Sequence, residues 1–358
     1  MVLSGEEKHS KKHLTVHTIG ADKAFIAFVS ELFFSDPPRV TFLRPISLWA
    51  LNVYKAPDAN LIFVRIDRFF MTFLQSKGYV TIPEWITMIL PLRDHHGDLR
   101  TSVRRNMRRI IQRRITDDYS YETTTDPERL EYFYNDMYVP YIRSRFGRCA
   151  IVTPYSRMKE LFKTGRLLFV KKNNTCTQGI LIKTVSPTMA MLTHCGALET
   201  DADTSIQGMG PTLYYFAILW AKEHNISHLD LGICRGFLDD GVMQNKRRWN
   251  AAIRPWRSRN IPDQFSEIIG MKLGAIAESL HQCLYHNPFI YLDSDARLHG
   301  MICIPSDQQL ANRELRHYQK TYAFSGLASL AVTTPQRLKH KQNPLTVQLI
   351  KKQGGMVV

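Results

Sequence analysis

Three strand-like runs follow one another with only short, turn-rich links between them: Arg166–Lys171, Gly179–Val185 and Thr188–Leu198. The links are Lys172–Gln178 and Ser186-Pro187, and strands joined so briefly are expected to pair antiparallel. The pattern then changes. A Gly-rich loop, Ser205–Gly210, leads into a helical run, Pro211–His224, and a further strand, His228–Gly232. Loop, helix and strand together make a β–loop–α–β unit, and Ala251–Arg257 reads as one last strand. A ligand for such a unit would sit where the loop meets the helix.

The flanking segments are less regular. Residues 1–20 carry several charges and no apolar stretch after them, so they read as a loose polar lead and not as a secretory signal. Residues 21–34 read as a helix, 59–66 as a buried strand, and Asp67–Ser76 as a helix stopping at Gly78. Ile82–Leu92 is a further apolar stretch opened by Pro83, and 21–115 together reads as a small α/β region. Leu99–Ile115 is helical in pattern, with Leu99, Val103, Met107 and Ile110 on one face. Arg104, Arg105, Arg108, Arg109 and Arg113 occupy the remaining surface, either as a solvated face or as a docking surface for phosphates. Residues 126–145 form a second helical stretch interrupted at Pro140, and Arg157–Lys163 a short helix. Beyond the central region, 116–258, a helix is expected at Gln264–Leu284, then mixed short elements to 332 and a loose basic tail, 333–358.

The loop Ser205–Gly210 is the segment most suited to an anion. Gly208 and Gly210 let the backbone turn and approach a ligand, and Pro211 suits the first turn of a helix. The following amides point out of a positive helix N-terminus, a geometry that holds phosphate or pyrophosphate. Gln207, Gly208, Met209, Gly210 and Thr212 are therefore the candidate contacts, against the plainer reading of a simple turn. In Asp239–Trp249 an Asp240-Gly241 turn leads to a short basic stretch. Lys246 there offers a positive charge to a phosphate or a developing oxyanion, or else is a surface lysine whose removal leaves stability nearly unchanged.

These features come in an order that resembles a branch of the GNAT superfamily, the one related to the Fem peptidyltransferases and to bacterial acyltransferases of the cellulose-biosynthesis (CelD) type. The ordering is a basic helix at Arg104–Arg109, a strand trio, a G-x-G loop with its helix, an Asp230-Leu231-Gly232 strand end, and Asp240-Gly241 ahead of Lys246. The resemblance covers Leu99 to Trp256 and is densest over Leu229–Asn250. Asn245 stands where the family commonly has Phe, Asn250 where it has Gly, and Ser205 where standard members have Arg or Gln. The resemblance implies an α/β fold, a GNAT-type mixed twisted sheet flanked by helices, with the smaller N-terminal region open to reading as a degenerate second unit. It implies acyl-CoA, such as acetyl-CoA, as co-substrate at the G-x-G loop, no permanently bound cofactor, and an amine-bearing acceptor. A Fem-like relative would use aminoacyl-tRNA instead, and a third reading is a non-catalytic phosphate- or nucleic-acid-binding module on the same scaffold. Lys246 would match the family's lysine near the reacting groups.

Acyl transfer to an amine asks for orientation, removal of a proton and stabilisation of an oxyanion. No Ser-His-Asp order or G-x-S-x-G occurs, so direct attack is expected in place of a covalent intermediate. Candidate bases are His194, Glu199 and Asp230, and candidate acids Tyr214 and Tyr215. Each has a structural alternative: Asp230 as a loop cap, His194 as a core residue, the tyrosines as packing. His95 and His96 are adjacent and diverge, which argues against a metal site. The net charge of +15, with seven arginines between Arg100 and Arg114, favours anionic partners such as phosphate-bearing cofactors or nucleic acid. The six scattered cysteines form no C-x-x-C pair and fit free thiols in a reducing, cytoplasmic setting, and no apolar run reaches the ~18–20 residues of a membrane span.

Overall fold

A computed structural model describes residues 1–42, 54, 56–92, 105–115, 118–198, 210–256, 266–274, 278–305, 312–339 and 345–347. The chain begins with order where a loose lead was expected. β1 (Val2–Glu6) and β2 (His13–Ile19) pair antiparallel, and Leu3, Leu14 and Val16 are fully buried between their neighbours. The segment looked polar because β2 also buries Thr15, His17 and Thr18. Asn60 supports them, its side-chain oxygen accepting from the Thr15 amide at 2.8 Å. α1 (Lys23–Phe33) starts at Asp22, whose carboxylate accepts from the Phe25 amide at 2.8 Å. Its Phe25, Val29 and Phe33 recur every four residues and form the buried face. β3 (Arg39–Thr41) lies beside β1, and β4 (Leu61–Asp67) runs parallel to β2. The expected helix at Asp67–Ser76 is a 3-10 turn followed by the short α2 (Met71–Ser76), and β5 (Val80–Pro83) comes next.

The apolar stretch after Pro83 becomes β6 (Trp85–Pro91). α3 (Arg105–Arg114) is the arginine-rich helix, with Met107 and Ile111 buried; Leu99, Val103 and Arg104 lie outside the described residues. β7 (Tyr119–Thr124) precedes α4 (Pro127–Tyr132), a π-helical turn (Phe133–Tyr138) and α5 (Val139–Phe146). Pro140 does not interrupt this stretch. It sits in the first turn of α5, where a missing N–H is tolerated, and the π turn before it absorbs the irregularity. α6 (Tyr155–Phe162) leads to the expected trio, β8 (Gly165–Lys172), β9 (Thr175–Ser186) and β10 (Met189–Ala197), which pair antiparallel. α7 (Pro211–Glu223), β11 (His228–Arg235), α8 (Gly241–Arg247) and β12 (Ala252–Pro255) follow.

The helix expected over Gln264–Leu284 is instead two elements. β13 (Glu267–Leu273) buries Ile268, Ile269 and Met271, and α9 (Glu278–Tyr285) comes after it. The run Ile268–Met271 is continuously apolar, and such a run does not by itself separate a buried strand from a buried helix. β14 (Phe289–Leu292), β15 (Leu298–Cys303), α10 (Asn312–Tyr322), β16 (Ser329–Thr333), α11 (Pro335–Lys339) and β17 (Leu345–Val347) complete the chain, so part of the expected loose tail is also ordered.

The sheets are mixed and flanked by helices. Six strands run in the order β3-β1-β2-β4-β13-β5, seven in the order β12-β6-β11-β10-β9-β8-β7, and four in the order β14-β15-β16-β17. The chain divides into two compact units. One comprises Met1–Ile86, Cys234–Gln244 and Ile253–Val358, and the other Thr87–Ile233 and Asn245–Ala252, which departs from the expected boundaries at 116 and 258. The core of the first gathers Leu3, Val16, Phe25, Phe63, Phe289 and Met301. The core of the second includes Phe133, Met137, Met158, Phe162, Phe169 and Leu181.

Candidate active site

Within the second unit, β10 and β11 are parallel neighbours for only three residue pairs: Met189 with His228, Ala190 with Leu229, and Met191 with Asp230. β10 continues to Ala197, held along its other edge by β9, while β11 continues past Leu231. From Leu192 onward the two strands part, and no strand among the described residues pairs with this edge of β10.

Gly232 occupies the fork. Its φ of +85° is a backbone state that favours glycine, and a Cβ there would lie 2.9 Å from the Leu192 carbonyl oxygen. Asp230 fixes this bend from one side. The residue is buried, and its Oδ1 accepts from the Gly232 amide at 2.8 Å and from the Thr87 hydroxyl on β6. Lys246 fixes it from the other. Its Nζ donates to the carbonyls of Gly232 at 2.8 Å and Ile233 at 3.0 Å. Carbonyls that lost a strand partner at the fork thus regain one from an ammonium. The surface-lysine reading is overturned, because Lys246 is 3% exposed. Asp240-Gly241, expected as a turn, opens α8, with Asp240 Oδ1 accepting from the Met243 amide at 2.8 Å.

Across the fork on β10, burial pushes the Cys195 thiol up to about 11, with Lys246 and Arg145 pulling the other way. A thiol held protonated in this way is a poor nucleophile at neutral pH. His194, its neighbour, has a different set of contacts. Its Nε2 lies 2.8 Å from the Thr153 hydroxyl, and its ring stands edge-on to Tyr138 at 5.4 Å. Burial lowers its pKa to about 4, so the imidazole is neutral at pH 7. Its Nδ1 is buried without a hydrogen-bond partner among the described residues.

The remaining expected residues separate into those the structure places and those it does not. Gly210 is the N-cap of α7 in extended conformation (φ −69°, ψ 169°), with no side chain capping the first turn, and Thr212 is buried in that turn. Gln207, Gly208, Met209 and Glu199 lie outside the described residues, as do His95 and His96. Tyr214 is largely buried on α7, its ring 6.0 Å from the fully buried Trp249, which is a packing position. Asp230 and Lys246 therefore meet at Gly232, while His194 and Tyr214 make their contacts elsewhere. Thr87 and Cys195 have no site signal in the sequence, since only strand pairing brings them to the fork, and Thr153 reaches His194 from an irregular segment. No group of His, Cys, Asp or Glu among the described residues has the arrangement to hold a metal ion.

No family model matches the chain, and no curated protein matches it. Solved structures are similar to it. FemX aligns with a TM-score of 0.41 at 13% identity over 75% of this chain and 83% of that one. L-PGS from Bacillus licheniformis aligns with a TM-score of 0.38 at 14% identity over 59% and 67%. A tandem GNAT protein from the clavulanic acid biosynthesis pathway aligns with a TM-score of 0.34 at 13% identity over 62% and 66%.

The surroundings of the fork bear on what it can hold. The π-helical turn comes very close to β10, and a Cβ on Gly196 would lie 2.6 Å from the Met137 carbonyl carbon and the Tyr138 amide nitrogen. Gly196 is what allows that approach, which in turn brings Tyr138 against His194. Cys176, Cys195, Cys234, Cys283 and Cys303 are free thiols, and no helix among the described residues is long and apolar enough to cross a membrane.

Proposed function

We propose that the chain is an N-acyltransferase of GNAT type that moves an acyl group from acyl-CoA, acetyl-CoA being the simplest, to an amine by direct attack. The observation that carries this reading is the parting of β10 from β11 after Met191. The edge of β10 so released offers backbone amides and carbonyls to an extended chain, as a sheet edge does to an added strand. The pantetheine arm of CoA is extended and carries two amides. The uncapped first turn of α7 supplies amides and a positive dipole end suited to the pyrophosphate, with Gly210 and Thr212 in that turn and Gln207, Gly208 and Met209 just ahead of it.

In the reaction the amine nitrogen bonds to the thioester carbonyl carbon, an oxyanion forms and collapses, and CoA leaves as the thiolate. A lysine ammonium has three N–H donors, and two of those on Lys246 are engaged by Gly232 and Ile233. We assign the third to the developing oxyanion. His194, packed on Thr153 and Tyr138 with its pKa lowered to about 4 by burial, is a weak base away from the fork, so we assign the amine's proton to water. Asp230 is a positioning residue that holds Gly232, and Tyr214 supports the wall that carries Trp249. A supply of acyl-CoA fits a cytoplasmic setting.

The test is calorimetric titration of the full chain, treated with RNase, with acetyl-CoA and longer acyl-CoAs. Binding followed by transfer to an amine is expected, and no heat with any acyl-CoA would overturn the reading. A second reading, aminoacyl-tRNA as donor, is favoured by α3, where Arg109 and Arg113 are exposed. If their charges meet phosphates, tRNA binding should fall steeply with salt, each arginine removed reducing the log–log slope by about 0.7–0.9. Absence of tRNA binding at about 150 mM salt would remove that reading.

A further inference from the structure

The first unit contains a cavity that the acyl-transfer reading does not use. It has a volume of about 440 Å³ and is lined by Asp239, Tyr285, His286, Ile302, His317, Tyr318 and Tyr322. A volume of this order suits a small molecule. The chain carries 47 lysines and arginines, yet none lines this cavity, and its one carboxylate is Asp239.

The Tyr322 hydroxyl donates to Asp239 Oδ2 at 2.8 Å, and Tyr318 donates towards the Tyr285 hydroxyl at 3.4 Å. Asp239 is exposed at the rim of the cavity, and Tyr322 is the hydrogen-bond partner of its Oδ2. Tyr318 and Tyr322 lie one turn apart on α10 with ring centroids 6.4 Å apart and planes 23° from parallel, so the helix presents two aromatic rings to the cavity. His286 stacks on His9 at 3.8 Å and 18°. Two imidazoles in that contact do not readily carry two charges, and His9 is held below the ordinary imidazole range by burial first and by His286 second. No lysine or arginine lines the cavity to hold an anion.

We propose that this cavity binds a small organic cation, an ammonium group carried on an aromatic or aliphatic body. The ammonium would donate to Asp239 Oδ1 and lie against the tyrosine rings, whose faces attract cations, while Ile302 and the ring edges contact the apolar body. Asp239 begins the segment that resembles the transferase motif, but it is Lys246, seven positions on, that reaches the fork, so this carboxylate is left for a separate task.

The test is titration of the full chain at pH 7.5 with phenethylammonium, with its neutral isostere 2-phenylethanol, and with inorganic phosphate. Phenethylammonium is expected to bind at least about ten-fold more tightly than 2-phenylethanol, a difference of about 1.4 kcal/mol, with no binding of phosphate. Asp239→Asn, which keeps the shape and removes the charge, should weaken the cation by a similar factor. Should that variant fail to fold, Tyr318→Leu is the second, and the comparison of the two probes on the parent needs no variant. Equal affinity for the cation and the alcohol, unchanged affinity in Asp239→Asn, or tighter binding of phosphate would each overturn the proposal.

Discussion

Replacing Lys246 by Met tests the fork directly, because it keeps an unbranched side chain as far as the Cε position and removes the ammonium. Two carbonyls, those of Gly232 and Ile233, lose a charged donor at 2.8 and 3.0 Å. Hydrogen bonds to a charged partner contribute roughly 1.5–3 kcal/mol each, and an acceptor left unpaired in the interior costs about 1–3 kcal/mol. Against this, the variant no longer desolvates a charge, which returns part of the loss. The Gly232 carbonyl also keeps a long contact with the Thr87 hydroxyl at 3.4 Å. The net expectation is a destabilisation of roughly 2–4 kcal/mol, equivalent to about 5–15 °C in Tm for a domain of this size. Thermal and urea unfolding of parent and variant measure it. A Tm within about 1 °C of the parent would refute the argument that the ammonium holds the fork together. Activity is then read well below the variant's Tm, so that folding and chemistry are separated. A further loss of about 10²–10³ in turnover is expected if the third N–H meets the oxyanion. Full turnover in a destabilised variant would leave Lys246 a structural residue and remove it from the mechanism.

Gly210→Val, which the backbone at φ −69° and ψ 169° accepts, should abolish acyl-CoA binding by calorimetry, with unfolding measured alongside because Gly210 is buried; unchanged affinity would exclude the first turn of α7 as the donor site. Gly196→Ala should cost more than about 2 kcal/mol in urea unfolding, because its Cβ meets backbone atoms of Met137 and Tyr138 at 2.6 Å; a cost under about 0.5 kcal/mol would show that the π turn gives way freely. His194 makes the unit sensitive to acid. Its folded pKa, about 4, lies below the ordinary 6.5, so the unfolded chain binds more protons between those values, and the stability present above pH 6.5 is lost as pH falls towards 4. That loss approaches about 3 kcal/mol at its limit, and urea midpoints at pH 7 and pH 5 should converge in His194→Gln relative to the parent. Identical pH slopes in parent and variant would rule out His194 as the group responsible.

How much of this was legible depended on whether the signal was local. The β8–β9–β10 trio was plain because its links are short and turn-rich, and α7 because Pro211 opens a long apolar helix. β1 and β2 are hard to read because a charged turn, Glu6–Lys12, joins them while their burial falls on Leu3, Leu14, Val16 and three polar neighbours. β13 was taken for helix because Ile268–Met271 has no period that distinguishes the two states. At the site, Lys246 and Asp230 could be picked from the pattern of residues, but not their role around Gly232. The need for a buried ammonium arises only where two strands separate, and no spacing along the chain records that. The tyrosine-lined cavity leaves no sequence signal for the same reason, since Asp239, Tyr285 and Tyr322 come from three separate stretches of the chain.

The position of β13 sets an order on biosynthesis. It lies between β4 and β5, so the first unit cannot close its six-stranded sheet until residues 267–273 have left the ribosome. Arg65 waits for Glu267, a partner 202 positions later in the chain. The second unit, by contrast, has all its residues once Ala252 has emerged. The nascent chain must therefore carry its N-terminal half-sheet with the β4 edge open while the later-encoded unit can already fold. Such an edge invites pairing with other strands, so any variant that slows the arrival or docking of β13 should lower soluble yield before it lowers the stability of the finished protein.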